Sequence, residues 1–92
     1  MTLKIRRIRE EHGTRIYLSG ELLCPHLADV RAELEQAVRT VTLDLDEVNV
    51  VDIEGICLLN EYQARGIQVV NCSPYIREWM LQEKRIGGGD ER

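Results

Sequence analysis

A chain of 92 residues has room for one compact domain and not for two, and its 43% hydrophobic and 30% charged content is that of a folded chain, not a disordered one. Sixteen acidic against twelve basic residues leave a net charge of −4, the wrong sign for meeting phosphates, so no nucleic-acid partner is expected. No run approaches the roughly 20 apolar residues of a membrane span, and the early charges Lys4 and Arg6 do not suit a signal peptide; a soluble cytoplasmic protein with no membrane partner is expected.

Residues Leu3 to Arg9 and Thr14 to Ser19 read as two strands joined at Glu11-His12-Gly13. Ile16 and Leu18 alternate with Arg15 and Tyr17, the period of a strand with one face toward a core. Gly13 is expected to supply the positive φ of a tight turn. The basic run Lys4, Arg6, Arg7 and Arg9 reads as a strand edge kept from aggregating by charge. Pro25 suits the first turn of a helix, and beyond it Leu27, Val30, Leu34, Ala37 and Val38 recur at spacings of three and four. That pattern predicts an amphipathic helix over Pro25 to Arg39.

Thr40 to Leu45 returns to alternation, with Val41, Leu43 and Leu45 on one side, and reads as a strand. An acidic stretch, Asp44 to Glu47, separates it from a short apolar approach, Val48 to Val51. Ile56, Leu58, Leu59 and Tyr62 suit a helix from Gly55 to Arg65, stopped by Gly66. Ile67 to Asn71 is a further strand. Ser73 and Pro74 open a last helix with Ile76, Trp79 and Met80 on its buried stripe. The order β-β-α-β-α-β-α implies a small mixed α/β sheet, mainly parallel with an antiparallel edge strand, and about three helices. A single domain over 1–86 and a flexible tail over 87–92 are expected.

In sheets of this kind, working surfaces gather at the C-terminal ends of the parallel strands, which points to Val51-Asp52-Ile53-Glu54-Gly55-Ile56. Asp52 is placed to cap the helix that follows, and Glu54 in its first turn complements the unpaired N–H groups there. Gly55 is expected to keep the surface low and open to a visitor.

The same residues carry a resemblance. Leu43-Asp44-Leu45 followed by Asp52-Ile53-Glu54-Gly55-Ile56 resembles the pattern of the STAS family, in which a strand leads to an Asp-Ser-Ser-Gly-Leu loop opening a helix. Leu18-Ser19-Gly20-Glu21-Leu22 upstream and Val69-Val70-Asn71-Cys72-Ser73-Pro74 downstream are similar to the flanking motifs, so the likeness runs from about Thr14 to Lys84. The resemblance implies a STAS-like fold and a non-enzymatic role in signalling and transcription regulation, through protein–protein contact as in the bacterial anti-sigma-factor antagonists. In those proteins a kinase that is also the anti-sigma factor phosphorylates the serine before the loop glycine. Here that position is Glu54, which has no hydroxyl to accept phosphate, so phospho-switching there is lost or mimicked. The implied partner is a protein, an anti-sigma factor or serine kinase, contacted through Asp52, Ile53, Glu54, Gly55 and Ile56. The segment from Gly55 to Gly66 is about one turn shorter than is usual in the family, which bears on the helix most exposed to a partner.

Other chemistry finds less support. Asp44, Asp46, Asp52 and Glu54 are hard oxygen donors of the kind that hold Mg²⁺ or Ca²⁺, but helix capping accounts for two of them, and no metal is expected. Cys24, Cys57 and Cys72 lack the paired spacing of a disulfide framework or zinc site, which favours reduced thiols. His12 and His26 bring no acid, base and nucleophile together, so no catalytic residues and no cofactor are expected. Trp79 reads as core packing with Ile76 and Met80. A small-molecule or nucleotide sensor using the same loop is the alternative function. A homodimer would suit a domain this small, which gains by burying more surface.

Overall fold

The computed structural model describes residues 2–37 and 40–88, with side chains to residue 85. It is an α/β fold in which four strands form one mixed sheet in the order β1-β2-β3-β4. β1 (Leu3–Glu10) and β2 (Gly13–Leu22) make the antiparallel hairpin. β2, β3 (Thr40–Val51) and β4 (Gln68–Val70) run parallel. A short 3₁₀ turn (Cys24–His26) leads into α1 (Leu27–Gln36), α2 (Ile53–Ala64) links β3 to β4, and α3 (Pro74–Gly88) follows β4.

One face of the sheet makes the core. Ile16 and Leu18 of β2 and Leu43 and Leu45 of β3 are buried with Val30 and Leu34 of α1, Ile56, Leu59 and Tyr62 of α2, and Ile76 and Met80 of α3. All three helices feed that single cluster, so they lie against the same face. The alternate residues, among them Lys4, Arg6, Tyr17, Ser19 and Asp44, point the other way, and among the described residues no helix covers them.

The structure differs from the sequence-based expectations at several places; β2 runs past Ser19 to Leu22, and α2 starts at Ile53, two residues before Gly55. Gly13 does not sit at positive φ; it is already paired with Glu10, and a Cβ there would run into the carbonyl of Thr40 on β3. Its smallness serves strand-to-strand approach, not the turn. The helix expected over Pro25 to Arg39 is two pieces, since Cys24 to His26 take a 3₁₀ turn and Ala37 is already extended; Val38 and Arg39 lie outside the described residues. The acidic stretch Asp44 to Glu47 is no break: β3 continues from Thr40 to Val51. The chain absorbs the irregularity with register shifts between Tyr17 and Ser19 and between Gly20 and Glu21, each setting one extra β3 residue against β2. β4 is three residues, two fewer than expected. α3 runs through Gly87 to Gly88, past the expected start of the tail at 87, and residues 89–92 lie outside the described residues.

Two signals coincide with the observed ends. Gly66 takes φ +104 after α2, the left-handed stop that glycine adopts at low cost. Ser73 caps α3, its hydroxyl accepting from Ile76 N–H at 3.2 Å.

Candidate functional site

The loop at the end of β3 is built around Asp52. Its extended backbone (φ −107, ψ 178) turns the side chain back over the helix start, where one carboxylate oxygen accepts from Gly55 N–H at 2.9 Å. The other accepts from Cys24 N–H at 2.8 Å, 28 residues earlier. The Asp52 N–H donates to Leu22 O at 3.3 Å. One residue thus joins the end of β2 through its backbone to the 3₁₀ turn and the first turn of α2 through its side chain, which satisfies an N–H that α2 leaves unpaired.

The five residues expected to meet a partner divide into two groups. Ile53 is 41% exposed and Glu54 is exposed. They stand side by side at the helix start, and no ion pair holds Glu54 among the described residues. Gly55 and Ile56 face inward: Ile56 is fully buried, and a Cβ on Gly55 would lie 2.7 Å from both Leu22 O and a Val51 methyl carbon. The expectation that Gly55 keeps an open surface is therefore corrected. Glycine at 55 lets α2 approach the ends of β2 and β3, and a molecule arriving here meets Ile53 and Glu54, with Asp52 half-buried behind them.

The four carboxylates weighed as metal donors are used apart. Asp52 is the cap. Asp44, halfway along β3, is 4% exposed on the uncovered side of the sheet. It accepts from Arg15 Nη1 at 2.8 Å, Asn71 Nδ2 at 3.0 Å and Asp46 N–H at 2.9 Å. Three donors to one carboxylate compensate its burial. Among the described residues no group of three or more His, Cys, Asp or Glu side chains is arranged to hold a metal ion.

Sequence reading missed the Asp44 network, which joins residues 27 and 29 positions apart. The one local hint is Asn71, a residue tolerant of the left-handed region, which it occupies at φ +60. It missed equally the strap between α1 and α2. Arg31 donates to both oxygens of Glu61 at 3.1 and 3.0 Å. Glu35 accepts from the Tyr62 hydroxyl at 2.6 Å and from Arg65 at 3.1 Å. The Tyr62 hydroxyl, then Arg65, hold the Glu35 carboxyl below the usual carboxylate range, and Arg31 does the same for Glu61. The strap fixes the body of the helix whose start carries Ile53 and Glu54.

The thiols are unpaired: Cys24 and Cys57 are exposed and Cys72 is half-buried. Partial burial of the thiol, with Glu54 and Glu83 nearby, pushes Cys57 up and keeps it protonated, the opposite of an activated nucleophile. Trp79 packs half-buried on the core with its ring 5.8 Å from that of Tyr75, which is 61% exposed. Among the described residues no helix is long and apolar enough to cross a membrane. No family model matches the chain, and no curated protein is significantly similar to it.

Proposed function

We propose that the chain is a non-enzymatic, cytoplasmic regulatory domain of the STAS type, resembling the anti-sigma-factor antagonists, that binds another protein through the loop at Asp52 and the start of α2. The observation that carries this reading is the Ile53–Glu54 pair. An apolar and an acidic side chain stand exposed together on a helix start fixed by the Asp52 cap and the α1–α2 strap. A contact surface on a rigid element loses little conformational freedom on binding.

Glu54 holds the place of the family's phosphorylated serine. Its single negative charge imitates part of a phosphoserine's roughly −1.5 to −2, so the loop behaves as one held in the phosphorylated, partner-released form. The test is the affinity for a kinase-type anti-sigma factor from the same cell, by calorimetry, for the wild-type chain and Glu54→Ser. The serine variant binds at least about tenfold tighter, from the loss of one unfavourable charge. Equal affinities end the mimicry reading. An Ile53→Asp variant that binds as well as the wild type ends the assignment of the surface. Thermal stabilisation by a nucleotide or other small molecule, abolished in Ile53→Asp, would favour the sensor alternative instead.

A further inference from the structure

Apart from Arg15 of β2, which is paired with Glu10 and Asp44, the face of the sheet turned away from the helices carries its charges in two separate rows. On β1, Lys4 and Arg6 point to this side; on β3, Asp46 and Glu47 do, flanking a hollow of about 360 Å³. β2 lies between the rows, contributing Tyr17 and Ser19. Pairing fixes the levels: Lys4, Ser19 and Glu47 lie across from one another, and so do Arg6, Tyr17 and Asp44. Two strand spacings place the basic row roughly 10 Å from the acidic one.

These rows do not neutralise each other. Among the described residues Lys4 and Arg6 make no ion pair, whereas Arg7, their neighbour on the opposite side of β1, pairs with Glu33 of α1 at 3.2 Å. Arg6 lies over the Tyr17 ring at 4.9 Å. Asp46 has no ion pair either, and Glu47 accepts only the neutral Ser19 hydroxyl at 3.0 Å. Asp44, on β3 beside the acidic row, is already compensated by Arg15 and Asn71 and adds no unpaired charge.

We infer that this uncovered face is the interface of a homodimer, in which two sheets pack face to face about a twofold axis running along β2. Rotation about an axis in the plane between the sheets carries β1 of one copy over β3 of the other and keeps the level along the strands. Lys4 then meets the partner's Glu47, and Arg6, at the level of Asp44, extends along β3 to the partner's Asp46 two residues on, each contact made twice by symmetry. A second copy suits the face better than a small zwitterion because it brings complementary rows at the same roughly 10 Å separation. Tyr17 meets its own counterpart on the axis, the aromatic centre of a polar contact. Aligned sheets about 10 Å apart are an established packing mode. The association lies across the sheet from α2 and leaves Ile53 and Glu54 free.

Analytical ultracentrifugation over a concentration and salt series tests the dimer. The wild-type chain is expected to dimerise and to weaken as salt screens the rows. Charge reversal of either row, Lys4→Glu with Arg6→Glu or Asp46→Lys with Glu47→Lys, raises the dimer Kd at least about a hundredfold. An equimolar mixture of the two reversed proteins restores a one-to-one dimer, since each reversed row then meets its complement; this also shows that both variants are folded. A wild-type chain that stays monomeric, either variant dimerising alone, or a mixture that stays monomeric overturns the assignment.

Discussion

Gly55 is where one added carbon separates two close surfaces. Its hydrogen faces Leu22 O and the Val51 side chain, and a methyl there would sit 2.7 Å from each. One obstacle is backbone, so relief has to come from moving α2 itself. Gly55→Ala therefore costs about 1–3 kcal/mol in urea unfolding, the range for overpacking, even though alanine is the better helix former. An unchanged midpoint would show that the helix start is free to shift. Tyr62 gives a second residue-level case. Its hydroxyl is the largest influence lowering the Glu35 carboxyl. Tyr62→Phe should raise the Glu35 pKa toward its ordinary 4.5, as followed by carbon NMR of the side chain. The sign for stability follows: a carboxyl depressed in the folded state stabilises above its unfolded value, and that contribution fades as pH falls through the folded value. The deficit of Tyr62→Phe against wild type should thus narrow as pH drops below 4.5. A constant deficit would mean that the hydroxyl acts only through packing.

Asp52 acts between elements, and the effect of removing it should spread accordingly. Asp52→Ala leaves Gly55 N–H without its cap and Cys24 N–H without its partner, so the loss exceeds an ordinary cap deletion of about 1 kcal/mol and approaches about 2. Hydrogen exchange should report faster opening at the 3₁₀ turn as well as in the first turn of α2; protection lost in α2 alone would show that the bond to Cys24 contributes nothing. The cap itself was legible from sequence, because Asp before a helix and Glu two residues later are local signals. So were the apolar set of α2, the Gly66 stop and the alternation of β2, each set by neighbours within a few residues. The continuity of β3 was not legible. Asp44 to Glu47 reads as a break, but Asp44 is stabilised by partners from β2 and from beyond β4, and register shifts turn the surplus residues outward. The inward aspect of Gly55 was hidden for the same reason, since Leu22 approaches it from another element. Long-range partners leave no periodicity.

At the scale of the molecule, the folded state depends on one core to which every helix contributes. A domain of this length buries only about 60–65% of the surface of its unfolded chain, which leaves no spare stability for a detachable part. α3 is joined to that core by Ile76 and Met80, 1% and 4% exposed, and to α2 by Asn60 Nδ2 donating to Met80 O at 3.0 Å. β4 is three residues long and is held at the sheet edge by β3 and α2. Loss of α3 would expose the buried stripe of Ile76 and Met80 and the part of the core packed against it, so partial unfolding at this end gains little chain entropy for the apolar area it exposes. Trp79 is the single tryptophan and sits on α3, so its fluorescence follows this helix, while far-UV circular dichroism follows all elements. The two urea transitions should superimpose with a common midpoint and slope. Ile76→Ala should move both together by about 2–5 kcal/mol, the cost of a cavity in a core with few residues to close it. A fluorescence change that comes first, leaving the dichroism of the sheet and the other helices intact, would mean that α3 is an appendage and that the core closes without it.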